Sequence, residues 1–272
     1  MTRIRRQADW LIGAVLFLFA FAIYVRTLAP GVVEMFDDSL EFQLIASRMA
    51  IAHPTGYPLF SILLKLLTYL PFGEIAYRVN LGTAFFAAFA VATLYAAARQ
   101  LPCSRLAAAA AALLFAFGPT FWSQAVLVEV YALQMLLTAA LLYLALRWGR
   151  SRDHSSLVTL SFFAGLLLTH HRMSVLLFPA LAVYVLAYNH RLLRQPRVLA
   201  PAAAALVLPL FLYLYIPIRG LATSSLDGGY QNTLSGFFGW IFGTAYNVFL
   251  SGNPFNEHRA ASFYLDLFLN EF

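Results

Sequence analysis

Residues 58–70 read PLFSILLKLLTYL, and the membrane topology of the whole chain turns on them. A helix over this stretch is roughly 20 Å long, too short to cross about 30 Å of hydrocarbon comfortably. Leu59, Ile62, Leu63, Leu66, Leu67 and Leu70 share one helical face, while Ser61, Lys65 and Thr68 form a polar stripe. That pattern predicts a helix lying in the membrane interface. The distribution of charge agrees. With 58–70 lying flat, Arg3, Arg5 and Arg6 share a side with Arg99, Arg105, Arg147, Arg150, Arg152, Arg191, Arg194 and Arg197. The other side holds Arg26, Arg48, Lys65, Arg78, Arg172, Arg219 and Arg259. If 58–70 spans instead, the three later arginine-rich loops move away from the arginine-rich N-terminus. The positive-inside rule therefore favours the flat helix.

Around that stretch, 61% of the 272 residues are hydrophobic and 11% are charged, with mean hydropathy +0.74. A soluble domain is about 45–50% apolar and about 25% charged. The composition excludes a soluble enzyme and a disordered chain, and predicts an all-α polytopic membrane protein. The net charge of +6 does not point to nucleic acid, because the basic residues punctuate apolar runs. One cysteine, Cys103, excludes an internal disulfide and a CxxC metal site. The candidate crossings are residues 10–28, 74–98, 106–117, 120–146, 156–169, 173–188 and 198–216. The basic start resembles a signal-peptide n-region, but the long apolar run behind it reads as an uncleaved anchor. Seven crossings put the N-terminus inside and the tail outside. Two segments lie outside: a loop at 29–78 and the tail after 217. In the tail, aromatic residues at 237–242 suit the interface.

Chemistry-bearing residues gather on that outer side. Glu34, Asp37, Asp38, Glu41 and Glu74 all lie in the first external segment. Asp38 and Glu41 have the spacing of an N-cap and its capping-box partner for a helix to about Ala50, a role compatible with presenting a carboxylate. The run His53-Pro54-Thr55-Gly56-Tyr57-Pro58 fixes a corner between two short helices. It holds His53 and Tyr57 near the acids, either to bind substrate or to hydrogen-bond the loop. Glu129, beside Tyr131, falls nine residues into the expected helix 120–146. His170, His171 and Arg172 sit at an outer hairpin, and Arg219 follows the last crossing. Ionisable groups near hydrocarbon are functional candidates by default, although an internal ion pair or headgroup contact is the competing reading. There is no phosphate-binding glycine loop, no GxSxG and no spaced acidic pair of the nucleotide-sugar enzymes. A divalent-metal site built from Asp37, Asp38, Glu41 and His53 is a weaker possibility.

At these residues the chain resembles a known family. Asp38-Ser39-Leu40-Glu41-Phe42 followed by His53-Pro54-Thr55-Gly56-Tyr57-Pro58 is similar to the paired DSGEF and HPPGYP motifs of a bacterial and eukaryotic membrane family. Its animal member is a transmembrane protein O-mannosyltransferase. The similarity continues through Phe121-Trp122-Ser123-Gln124-Ala125-Val126, Glu129-Val130-Tyr131-Ala132-Leu133, the run from Gly165 to His171, and Leu214-Tyr215-Ile216-Pro217-Ile218-Arg219. Leu40 stands in place of the family's glycine, and Thr55 in place of a proline.

The resemblance implies a GT-C-like core at 1–219, with about seven transmembrane helices and two interfacial helices in the loop 29–78. Residues 220–272 are then an external or interfacial segment, either the start of a longer C-terminal part or the end of a minimal form. It also implies a glycosyltransferase that moves a mannose-like sugar from a polyprenyl-phosphate carrier to an acceptor hydroxyl on a protein, glycan or lipid, at the non-cytoplasmic face. The membrane is a bacterial inner membrane, or the endoplasmic reticulum if the source is eukaryotic. Asp38 and Glu41 fall at the family's acidic pair, with Asp38 the first candidate for the general base and Glu41 the second. Lys65, Arg78, Arg172 and Arg219 are candidates to hold the phosphate, with His170 or His171 assisting. Asp37, His53, Tyr57, Glu129 and Tyr131 complete the expected substrate-binding set. The rival reading is a transporter or flippase for a lipid-linked or polar solute.

Overall fold

The structure, a computed structural model, describes residues 3–32, 37–247 and 260–271. Glu34 and Arg259 lie outside the described residues, as do the side chains of Arg3, Arg5, Arg6 and Asp37. In chain order the helices are α1 (Arg3–Arg26), α2 (Asp37–Arg48), α3 (Pro58–Leu67), α4 (Ile75–Ala98), α5 (Arg105–Phe117), α6 (Pro119–Ala125) and α7 (Val130–Ser151). They continue with α8 (His154–His170), α9 (Phe178–Tyr188), α10 (Pro196–Val207), α11 (Tyr215–Gly220), α12 (Leu234–Ile241) and α13 (Ala261–Glu271). Tighter 3₁₀ segments at Arg172–Leu177 and Leu208–Leu214 run into α9 and α11. The chain is an all-α polytopic membrane protein.

Four described segments are long and apolar enough to cross a membrane: Gln7–Arg26, Ile75–Ala98, Val130–Ser151 and Pro196–Gly220. The pair α5 and α6, bent by 66°, makes a fifth if taken as one span. The other two expected crossings correspond to α8, with 17 residues, and to Arg172–Tyr188. Both fall short of the usual length of about 20 residues. The 3₁₀ turn rises about 2.0 Å per residue and extends the second to roughly 28 Å.

α4 is the central helix, packed against α1 and α7. Ala84, Ala87, Ala88 and Val91 of α4 share one buried cluster with Ala20 and Tyr24 of α1 and Ala108, Ala112 and Ala116 of α5. Such small residues let membrane helices approach closely.

The expected helix 120–146 is corrected: it is broken between Ala125 and Val130. Partners from elsewhere satisfy the backbone it frees. Ala29 N–H donates to the Val126 carbonyl at 2.9 Å, and Val128 N–H donates to Asn80 Oδ1 at 2.9 Å. Buried irregular backbone survives only with such partners. Glu129 therefore sits at the start of α7 and not within a helical wall.

The short helix predicted at 58–70 is α3, with Pro58 at its first turn, where its missing N–H costs nothing. It stops at Leu67 because Arg78 takes the next carbonyls, Thr68 O at 2.6 Å and Leu70 O at 2.5 Å. Its polar stripe turns toward protein: Ser61 is fully buried and bonds the Tyr57 carbonyl at 3.0 Å. Lys65 Nζ donates to the Ser47 carbonyl at 2.9 Å. Leu66 and Tyr69 are exposed, but Leu59, Ile62, Leu63 and Leu67 of the expected apolar face pack against protein, so the expected division into an apolar outer face and a polar stripe turned to water is corrected.

Candidate active site

The site begins where α2 does. The expected capping box is corrected: α2 starts at Asp37, so Asp38 is already helical, and the helix ends at Arg48. Asp38 and Glu41, one turn apart, share a face. Glu41 reaches His53 instead of its own helix start. It accepts the His53 backbone N–H through Oε1 at 2.9 Å and pairs with the His53 ring Nδ1 through Oε2. Asp38 Oδ1 stands 3.8 Å from the same Nδ1, with its side chain 49% exposed.

The corner 53–58 makes this possible. Gly56 has φ +86°, and a Cβ there would come within 2.6 Å of Ile216 Cδ1, so glycine is required. Tyr57 also takes a left-handed conformation, with φ 41°. The segment leading into the corner is held carbonyl by carbonyl. Lys65 takes Ser47 O, Arg219 takes Met49 O at 2.7 Å and Arg48 O at 3.2 Å, and Tyr215 OH donates to Ala50 O at 2.9 Å. Trp240 Nε1 donates to Ala52 O at 2.9 Å, next to His53. Cations at the end of α2 also complement its dipole.

Glu129 joins from the broken helix. Ser39 Oγ donates to Glu129 Oε1 at 2.7 Å, and the residue is 2% exposed. Burial pushes its carboxyl up, the Ser39 bond pulls it back, and the charge of Asp38 adds to the rise, for a net value of about 7. For His53, burial pulls the ring down, but the hydrogen bond and charge of Glu41 outweigh it, with Asp38 and Glu129 adding. The ring is held above its usual value.

The remaining expected residues divide. Tyr57 stacks edge-on to His53, with centroids 5.1 Å apart, and lies 6.0 Å from His171. Tyr131 lies 6.1 Å from His171. Burial and then Arg172 lower the His171 pKa, keeping that ring neutral. His170 is fully buried, and its Nε2 meets the Val130 carbonyl at 3.0 Å, fixing the start of α7. Arg172 donates to the Phe242 carbonyl at 3.2 Å and lies over the Tyr246 ring. Lys65, Arg78 and Arg219 are bound to backbone carbonyls, not to the acids.

Residues without a motif also contribute. Tyr246 feels the charges of Asp38 and Glu41, although nothing in its sequence surroundings marks it. Asn80, fully buried, holds Ala29 O, Gly31 O, Val128 N–H and Gln43. Its one legible signal is a lone amide in an apolar helix.

Asp38, Glu41 and His53 each offer one ligand atom, all within 4.8 Å of one another. They could hold a divalent ion only by giving up the Glu41–His53 bond, so the donor set fits a metal poorly as it stands. As arranged, one solvent-reaching carboxylate lies beside a carboxylate–imidazole pair. That set can take a proton from a hydroxyl and hold an adjacent positive charge.

A family model described as the protein O-mannosyl-transferase TMEM260 N-terminal domain matches residues 38–194. Among curated proteins, the mouse protein O-mannosyl-transferase TMEM260 is 31% identical over 244 residues, covering 84% of this chain and 33% of that protein. The Dictyostelium discoideum protein of the same name is 25% identical over 140 residues, covering 50% of this chain and 17% of that protein. The chain thus spans about a third or less of the length of these relatives. No solved structure matches.

Proposed function

Since the chain belongs to the TMEM260 N-terminal domain family of protein O-mannosyl-transferases, we propose that it carries the acid–base site of a protein O-glycosyltransferase. The donor is a mannose-like sugar on a polyprenyl phosphate, used at the non-cytoplasmic face. The acceptor hydroxyl attacks the anomeric carbon, its proton passes to Asp38, and the carrier phosphate leaves with the electrons of the broken C–O bond. The observation that carries this reading is the unequal state of the two acids. Glu41 has both oxygens on His53, whereas Asp38 is half-exposed with His53 only at 3.8 Å. Asp38 is therefore the base, and Glu41 with His53 positions it.

The leaving phosphate needs fixed cations. Arg172 suits this role: it is exposed, close enough to act on Tyr57 electrostatically, and uses one of its five N–H donors on Phe242. Protein in nanodiscs, given radiolabelled polyprenyl-phosphate mannose and a serine- or threonine-containing peptide, should move label from lipid to peptide. Asp38→Asn should lower the rate by about 10²–10⁴-fold while donor binding persists, the contribution expected of a general base. Near-normal turnover in that variant rejects Asp38 as the base.

A further inference from the structure

At the other end of the bundle, α1, α4 and α7 enclose a groove of about 890 Å³. Along α7, Arg147 lies seventeen residues, or roughly 26 Å of helical rise, from the start of the helix at the acids. The groove is separate from the candidate active site. One end of it is charged and the other is aromatic.

At the charged end, Asp9 accepts from Tyr95 OH at 3.1 Å, Arg99 Nε at 3.2 Å and Arg105 Nε at 2.7 Å. Its negative charge is therefore answered twice. Arg147 and Trp10 also line the groove, and both are exposed. The mouth is net positive. Away from it the wall is Phe17, Phe85 and Phe89, with Phe17 and Phe85 5.4 Å apart edge-to-face. From Arg99 to Phe85 along α4 the groove runs roughly 21 Å, longer than the roughly 15 Å of one leaflet.

We infer that this groove is a binding site for one anionic phospholipid. The phosphodiester lies beside Arg147, and an acyl chain lies along Phe17, Phe85 and Phe89, while Arg99 stays with Asp9 and the Cys103 carbonyl. A cationic mouth at headgroup depth over a leaflet-long apolar wall matches the two halves of such a lipid. The order of charged and apolar parts along the bilayer normal sets its direction. The site does not depend on the proposed reaction.

The test uses purified protein, stripped of lipid in detergent and examined by native mass spectrometry with phosphatidylglycerol or phosphatidylcholine. The protein should retain phosphatidylglycerol about fivefold better, the factor for one basic residue near an anionic lipid. Arg147→Gln should bring the ratio near one. Gly13→Leu should abolish retention of both lipids. Gly13 lines the groove, and a Cβ there meets only Tyr95 at 3.8 Å, so the larger side chain fills the groove without displacing backbone. Excess glycerol phosphate should not compete. Equal retention of the two lipids, an unchanged ratio in Arg147→Gln, or displacement by glycerol phosphate overturns the inference. A photoreactive phenylalanine analogue at position 89 should label lipid, and labelling of the protein's own chain overturns it equally.

Discussion

Replacing Glu41 by Gln removes a charge while keeping the shape of the side chain. Glu41 and His53 are 16% and 18% exposed, so their pairing is little screened by water. A hydrogen bond to a charged group contributes about 1.5–3 kcal/mol. Gln can still accept the His53 backbone N–H, but its other arm is an amide NH₂ facing Nδ1. That NH₂ opposes a protonated imidazole and is compatible with a neutral one. The sign in pH follows. Folded His53 holds its proton above the ordinary value, so the contribution of the pair is fully present below about pH 6.5, the unfolded value. It is lost as pH rises through the elevated folded value. Glu41→Gln should therefore cost about 1.5–3 kcal/mol at pH 5.5 and within about 0.5 kcal/mol at pH 9. Unfolding by sodium dodecyl sulfate in mixed micelles at the two pH values measures the difference. An equal cost at both, or a larger one at pH 9, refutes the argument.

Other perturbations test other parts of the structure. Glu129→Gln keeps an acceptor for Ser39 and removes a carboxyl whose value burial has raised to about 7. Stability of the unaltered protein should fall as pH rises from about 4.5 through 7, and this variant should flatten that slope in the same micelle assay. Asn80→Leu strands Ala29 O, Gly31 O and Val128 N–H, and should cost about 2–4 kcal/mol, seen as a lowered midpoint and poor recovery from membranes. Gly56→Ala forces a left-handed φ on alanine and drives its Cβ into Ile216. It should destabilise by about 1–3 kcal/mol, and adding Ile216→Val should recover part of that loss.

The parts legible in the sequence were those set by local spacing. That a short helix follows Pro58 is legible in the apolar run, and the shared face of Asp38 and Glu41 follows from a three-residue interval, whereas the face that α3 turns to protein is set by its partners. The corner at 53–58 declares itself through Pro54, Gly56 and Pro58. What stayed hidden depends on partners far along the chain. The break before Val130 is invisible because Ala125 to Val128 is apolar and helix-compatible, while its backbone partners come from Ala29 and Asn80. Lys65, Arg78 and Arg219 illustrate the same limit. A cation beside a membrane helix serves a phosphate or a row of carbonyls with the same chemistry, and only the fold shows which lies within reach. The expected cap at Asp38 fails for a related reason, since His53 offers Glu41 a better partner than its own helix start does.

The row of carbonyls from Ser47 to Ala52 also sets a timetable for biosynthesis. Its holders are added late and in sequence, Lys65 first, then Tyr215 and Arg219, and last Trp240, which lies 188 residues after the carbonyl it takes. At about 5–20 residues per second, the ribosome delivers Trp240 roughly 10–40 s after Ala52. Throughout that interval the Ala52 carbonyl, next to His53, lacks its Trp240 partner, although Lys65, Tyr215 and Arg219 precede that tryptophan in the chain. A nascent chain that has made only its first helices thus lacks part of the bracing of this corner, and the last of these four partners reaches it only when Trp240 folds back.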